Sequence, residues 1–414
     1  MKKIVTLLAV LIMLVLPACS APATVVDPAV DEPVVVDPVV EEPEVVDPVV
    51  EEPIDEAYPV VEEPVVEEQV TIDYAKNFTL EYKDGYELLT VTTPWEGAAE
   101  PFQYALVPEG TEVSDDLGDA LVVHTPIKSF VSLSTTFLPF LEQIDELSSL
   151  VAVDSADYTY NPTIPAWVES GMVQTVGSGS MVDVEKLVEL EPDVIMANAF
   201  GSEWDTHPAL EAAGLPVIIN ADYLEQNPLG RAEWGKFIAA FYDKEAEIDE
   251  IFDAMVERYD AAKALTQDLT EKKTVLVNTP YEGSWSMPGV DSYATIFLTD
   301  AGAEYLFNDI PGYYSQTLDF ETVFERAKEA NVWINVGMAT DLASLAAMDE
   351  RLADFDAYQS GEVYNNNART TAMGGSDYFE SGVANPDVIL LDMIKILYPE
   401  LVPDHTFFYY QQLQ

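Results

Sequence analysis

Asp183-Val-Glu-Lys-Leu-Val-Glu-Leu-Glu-Pro-Asp-Val-Ile195 compresses a helix and a strand into one short stretch. Asp183 is an N-cap, whose carboxylate can accept from the free N–H groups of the first helical turn. Val184, Leu187 and Val188 recur at helical spacing and form an inward row, which turns Glu185 outward. Pro192 cannot continue the helix, and Val194–Ala197 follows as a short apolar strand. The pattern returns further along. Asp319-Phe-Glu-Thr-Val-Phe324 repeats the cap, the inward row (Phe320, Val323, Phe324) and the outward Glu321. Ala330-Asn-Val-Trp-Ile334 then repeats the strand. Each glutamate alone is accounted for by a carboxylate near the positive end of a helix, worth some tenths of a kcal/mol. Two at matching places predict two lobes of the same build.

Outward from these units the chain alternates strand and helix. Apolar runs at Leu121–Val123, Leu150–Val153, Val194–Ala197 and Val217–Ile219 are separated by helical stretches such as Phe137–Leu147. A second series starts at Val275–Val277, continues at Val332–Val336 and ends in a helix over Pro386–Leu397. This grammar predicts an α/β fold with two Rossmann-like lobes and mainly parallel sheets. Between the series, Asn227 and Pro228 start a helical periodicity (Trp234, Phe237, Phe241, Ile248, Phe252, Met255, Tyr259) that predicts one long inter-lobe helix to about Leu265. Phe78–Tyr82, a Lys83-Asp-Gly turn and Leu88–Thr92 predict a β-hairpin in an N-terminal β appendage. The expected boundaries are 71–117 for the appendage, 118–226 for the N-lobe, 227–268 for the inter-lobe helix and 269–414 for the C-lobe.

Ahead of the appendage, Lys2 and Lys3 precede an apolar run to Leu16 and then Pro17-Ala18-Cys19. That is the layout of an export signal over 1–18, too short for a permanent span. Cys19 is the single cysteine of the chain. The stretch resembles a bacterial lipoprotein signal, which implies cleavage before Cys19, lipid on its sulfur and an extracytoplasmic location, on the outer face of the cytoplasmic membrane or in the periplasm. No disulfide is available. Residues 19–70 are a linker of Val-Val-Asp-Pro and Val-Val-Glu-Glu-Pro units without Lys or Arg. Regular proline and like charge predict an extended polyproline-like stalk, about 140 Å for some 45 residues. With 75 acidic against 18 basic residues the formal net charge is −57, which argues against nucleic acid and against an anionic membrane surface as partners.

The helix-then-strand unit ending Glu191-Pro-Asp-Val-Ile195, the Asn227-Pro-Leu-Gly-Arg-Ala-Glu-Trp234 start of the long helix, Tyr364-Asn-Asn-Asn367 and Ser376-Asp-Tyr-Phe-Glu-Ser-Gly382 together resemble one family over about 118–400. It is that of the substrate-binding proteins of ABC importers for ferric siderophores, haem and cobalamin. The resemblance implies a ligand cleft between the lobes, no catalysis, and partners in a permease dimer with its cytoplasmic ATPase. It also implies that Glu185 and Glu321 dock on permease arginines. Candidate cleft residues at loops leaving strand ends are Lys128, Asn198, Trp204, Trp285, Tyr314, Arg369 and Tyr378. Aromatics grip flat rings, and Lys128 and Arg369 would offset the charge of an anionic ferric chelate. Asn198 and Ser315 stand where cobalamin binders place tryptophans, while Tyr378 keeps the position of a third aromatic, so a ferric siderophore leads, with haem and cobalamin as alternatives.

Other readings have less behind them. Direct binding of free zinc or manganese calls for several histidines with carboxylates. The chain has His124, His207 and His405, widely spaced, with His207 expected in an exposed turn and His405 on a C-terminal surface. Gly177-Ser-Gly-Ser-Met181 lacks both the nucleophile-elbow and the phosphate-loop pattern. A surface lipoprotein without a transport role is the remaining alternative.

Overall fold

The computed structural model describes residues 69–112 and 117–414. The signal peptide, Cys19 and nearly all of the acidic spacer lie outside the described residues.

The chain opens with a four-stranded sheet in the order β1 (Phe78–Lys83), β2 (Tyr86–Val91), β3 (Phe102–Pro108), β4 (Leu121–Thr125). The first three strands run antiparallel, and β4 lies parallel to β3. The apolar run Leu121–Val123, expected as the first strand of the N-lobe, therefore belongs to the appendage. The N-lobe sheet begins instead at β5 (Phe130–Ser132) and adds β6 (Leu150–Val153), β7 (Gln174–Thr175), β8 (Val194–Ala197) and β9 (Val217–Ile219). Its order is β7-β6-β5-β8-β9, all parallel.

The C-lobe repeats the plan with β10 (Thr274–Val277), β12 (Glu304–Tyr305), β14 (Val332–Ile334), β15 (Val363–Asn365) and an antiparallel edge strand β16 (Gln411–Gln412). The order is β12-β10-β14-β15-β16. A separate antiparallel ribbon joins β11 (Ser284–Met287) to β13 (Gln316–Asp319).

The paired sequence units do equivalent work in the two lobes. Asp183 and Asp319 cap their helices by accepting from Lys186 N at 3.0 Å and Thr322 N at 2.8 Å. Asp193, just before β8, accepts from Ser129 N and Oγ, each at 2.9 Å, at the start of β5. Asn331, just before β14, accepts from Thr274 N at 2.9 Å and Oγ1 at 3.0 Å at the start of β10. One polar residue thus ties together the starts of two adjacent inner strands of each sheet. Val188, expected inward, is 46% exposed; the inward face of its short helix is held by the buried Leu187, with Val184 and Leu190 partly buried against the same core.

The lobes are bridged by one long helix, Glu245–Ala264, 20 residues and about 30 Å long. It begins later than the periodicity suggested. Pro228–Ala232 and Trp234–Ala239 form a separate helical arm, and Asp243 adopts the left-handed conformation (φ 56°) that reverses the chain. The arms lie antiparallel, with Lys236 Nζ 2.6 Å from Asp249 Oδ1 and 4.6 Å from the centre of the Phe252 ring. Trp234, Phe237 and Ile248 join the N-lobe core, while Phe252, Met255 and Tyr259 join the C-lobe core. Both arms bury the same kind of apolar row, so their periodicities read as one helix.

Candidate functional site

In stacked parallel α/β lobes, the loops leaving the carboxyl ends of the strands gather at the crevice between them. Here β10 and β14 leave their sheet through Asn278 (φ 62°) and Asn335 (φ 59°). Asparagine tolerates this left-handed geometry better than most side chains. The two asparagines floor a cleft with two adjoining compartments of about 490 Å³ and 630 Å³, both contacting Asn278, Tyr293 and Asn335. These volumes are in the range of small-molecule sites. Tyr223, Tyr314 and Glu96 wall the first compartment. Arg231, Asn366, Asn367 and Tyr378 wall the second.

Most of the lining side chains carry a hydroxyl or an amide, set in a surface that is largely apolar. Burial pushes the Tyr378 hydroxyl up to about 12, with the Tyr410 hydrogen bond and Arg231 pulling the other way. Burial likewise pushes Tyr223 up to about 12, helped by Asp205, Asp222 and Glu96, and raises Tyr293 further. These phenols stay protonated and neutral at physiological pH. Arg231 is the cation of the lining, and it is already matched: its Nε donates to Asp222 Oδ2 at 3.0 Å, and its guanidinium lies 5.4 Å from the centre of the Tyr293 ring. The arrangement can hold a neutral organic surface by stacking and hydrogen bonding.

A family model described as periplasmic binding protein matches residues 131–370. The chain belongs to the periplasmic binding protein family. An uncharacterised lipoprotein of Methanocaldococcus jannaschii is 27% identical over 353 residues, covering 80% of this chain and 82% of that protein. A second lipoprotein of that organism is also 27% identical, over 322 residues, covering 73% and 78%. The crystal structure of a possible iron-binding, periplasmic solute-binding protein of Staphylococcus epidermidis superposes with a TM-score of 0.51 at 16% identity, covering 66% of this chain and 99% of that one. That likeness is one of fold.

This periplasmic binding protein brings together two of the seven cleft candidates. Tyr314 and Tyr378 line the cleft. Asn198 sits at the right end of β8, but its Nδ2 is spent on Asn220 O at 2.9 Å. Trp204, in the same loop, is 65% exposed. The other three candidates lie elsewhere. Trp285 is fully buried in the C-lobe core, donating to Val277 O at 3.0 Å, because Ser284–Met287 is a strand and turns it inward. Lys128 precedes the first N-lobe strand rather than following it, so it lies at the opposite end of the sheet, 3.2 Å from Glu109. Arg369 lines a different cavity and is paired with Asp377, its guanidinium 4.7 Å from the Tyr160 ring and 4.1 Å from that of Phe408.

Glu185 and Glu321 are both exposed in first helical turns. They differ in one respect. Glu321 is 3.2 Å from Arg351, which is also held by Asp349 and lies over the Phe320 ring. His207 is buried, not exposed, with its ring 5.4 Å from that of Trp95. His405 is half-buried, with Nε2 2.7 Å from the fully buried Asp392. Among the described residues, no group of three or more His, Cys, Asp or Glu is placed to hold a metal ion.

Asn278, Asn335, Arg231, Tyr293 and Glu96 were not among the sequence candidates. Asn278 and Asn335 carried a signal, an asparagine directly after each apolar run Val275–Val277 and Val332–Ile334. Arg231 stood within the recognised start of the inter-lobe segment. Tyr293 looked like any aromatic of a helix, and nothing near Glu96 in sequence marks it.

Proposed function

We propose that this protein is an extracytoplasmic substrate-binding protein that captures a ferric siderophore and delivers it to an ABC importer, anchored through lipid on Cys19. The observation that carries this reading is the cleft itself. Its tyrosine hydroxyls and asparagine amides suit the oxygen-rich periphery and flat faces of an organic chelate, and its volume suits a molecule of that size. The cargo is held without covalent chemistry. Haem and cobalamin are the alternative cargoes of the same transporter class.

The test is a titration of intrinsic fluorescence with a ferric trihydroxamate, a ferric tricatecholate, haemin, cyanocobalamin and free zinc or manganese. A ferric chelate is expected to quench at sub-micromolar concentration while the free metals do not. A response to free divalent metals alone overturns the reading, and a response to haemin or cyanocobalamin alone replaces the cargo.

Docking rests on Glu185 and Glu321, one per lobe, facing two equivalent arginine sites of a symmetric permease. Each alanine variant is expected to lose no more than about 1 kcal/mol of stability and to bind cargo as the wild type does. Uptake in reconstituted vesicles should fall with each variant and furthest with the pair. Undiminished uptake by the double variant would reduce both residues to helix-end charges.

A further inference from the structure

The appendage reaches the cleft. Between β2 and β3 the chain turns through Trp95 and Glu96, and Glu96 lines the same compartment as Tyr223, Tyr293 and Tyr314. The turn is fastened to the N-lobe through Trp95. Its indole packs 5.8 Å from the Phe102 ring and 5.4 Å from the His207 ring. It also fills the space beside Gly201, where a Cβ would come within 2.5 Å of the indole. Gly201 has φ +67°, so both its conformation and the indole exclude a side chain there. Asp205 holds this loop by accepting from Phe200 N at 2.9 Å and Gly201 N at 2.8 Å. Phe200 in turn packs 4.9 Å from the Tyr223 ring. Trp95, Gly201, Phe200 and Tyr223 thus form a continuous packed path from the appendage to the cleft wall.

The Trp95–Glu96 turn lies outside the 131–370 segment that matches the family, whereas Phe200, Gly201 and Tyr223 lie within it. Its charge also matters. Arg231 is offset by Asp222, and the other lining carboxylate, Glu225, is buried and accepts from Lys76 N and Asn77 N at 2.9 Å and from Trp234 Nε1 at 3.2 Å. Glu96 is exposed and free to face a ligand. An uncompensated carboxylate beside the ligand penalises anions without needing to attract anything.

We propose that the Trp95–Glu96 turn is a specificity element of the cleft, and that Glu96 selects neutral or cationic chelates over polyanionic ones. The proposal rests on the chelate-binding reading. It is tested on the full chain by fluorescence titration with an uncharged ferric trihydroxamate and a trianionic ferric tricatecholate. The wild type should prefer the trihydroxamate. Glu96→Lys should shift the affinity ratio toward the tricatecholate by roughly tenfold or more, mainly by tightening the anion, with Glu96→Gln between the two. A ratio that stays within about twofold in Glu96→Lys, while the wild type binds, overturns the role of Glu96 and leaves the chelate reading standing. A wild type that binds neither chelate removes that reading and the inference with it.

Discussion

Glu233→Ala is expected to cost about 3–5 kcal/mol of stability, the range for opening a buried charged network. Glu233 is fully buried on the shorter arm of the helical hairpin. Its carboxylate accepts three successive backbone N–H groups, from Asp73 at 2.9 Å, Tyr74 at 2.8 Å and Ala75 at 2.7 Å. Lys236 Nζ lies 3.2 Å from the same carboxylate and also donates to Thr71 O at 2.9 Å. The glutamate therefore ties the lead-in to the appendage onto the hairpin that joins the lobes. Alanine leaves those N–H groups without acceptors, while Lys236 keeps Asp249. Glu233→Gln, retaining one acceptor oxygen, should recover part of the loss. Urea denaturation monitored by tryptophan fluorescence measures both. An alanine variant within about 1 kcal/mol of wild type would show that solvent replaces the network at little cost.

The second large effect concerns pH. Glu380, from the C-lobe, is 3% exposed and accepts from Tyr160 N at 2.7 Å and Asn161 N at 2.9 Å, both in the N-lobe. Burial, with Asp377 and Glu142 nearby, pushes its carboxyl up from 4.5 to about 7 against the pull of those two N–H groups. Between these values the folded chain holds a proton that the unfolded chain has released. Its contribution to stability is then fully present below pH 4.5 and is lost as pH rises through 7, in total about 3 kcal/mol at 1.36 kcal/mol per unit. Glu380→Gln removes this dependence. Relative to wild type, the variant should gain about 3 kcal/mol on going from pH 4.5 to pH 8. Unfolding curves at half-unit intervals check it, and parallel profiles for the two proteins would refute it.

The parts of this structure that were legible in the sequence are those decided within a few residues. Asp183 and Asp319 cap helices because their carboxylates reach N–H groups three positions on, and that geometry is the same in any context. The runs Val194–Ala197 and Val275–Val277 become buried strands, since no other short arrangement hides an unbroken apolar segment and pairs its backbone. The two repeated units and the strand–helix alternation around them therefore determined the α/β class and the two lobes, and the family resemblance needed the Asn227–Trp234, Tyr364–Asn367 and Ser376–Gly382 stretches as well. The asparagines that floor the cleft were readable by the same logic, from their place after those strands.

What the sequence left open is what distant partners decide. Leu121–Val123 is apolar enough for either sheet, and only its pairing with Tyr104–Leu106 assigns it to the appendage, which moves Lys128 away from the cleft. Trp285 follows a strand as a cleft residue would, but antiparallel pairing with Leu318 turns it into the core. The periodicity from Trp234 to Tyr259 is continuous, and the left-handed Asp243 breaks it because folding the two arms together buries both apolar faces at once. Glu96 shares a cleft compartment with Tyr223, far from it in sequence, in a turn whose Trp95 packs beside Gly201. Short-range hydrogen bonds and periodic burial are encoded locally, whereas the choice of sheet, face and cleft wall is made by packing between residues up to a hundred or more positions apart. That packing energy exists only when the tertiary structure has formed.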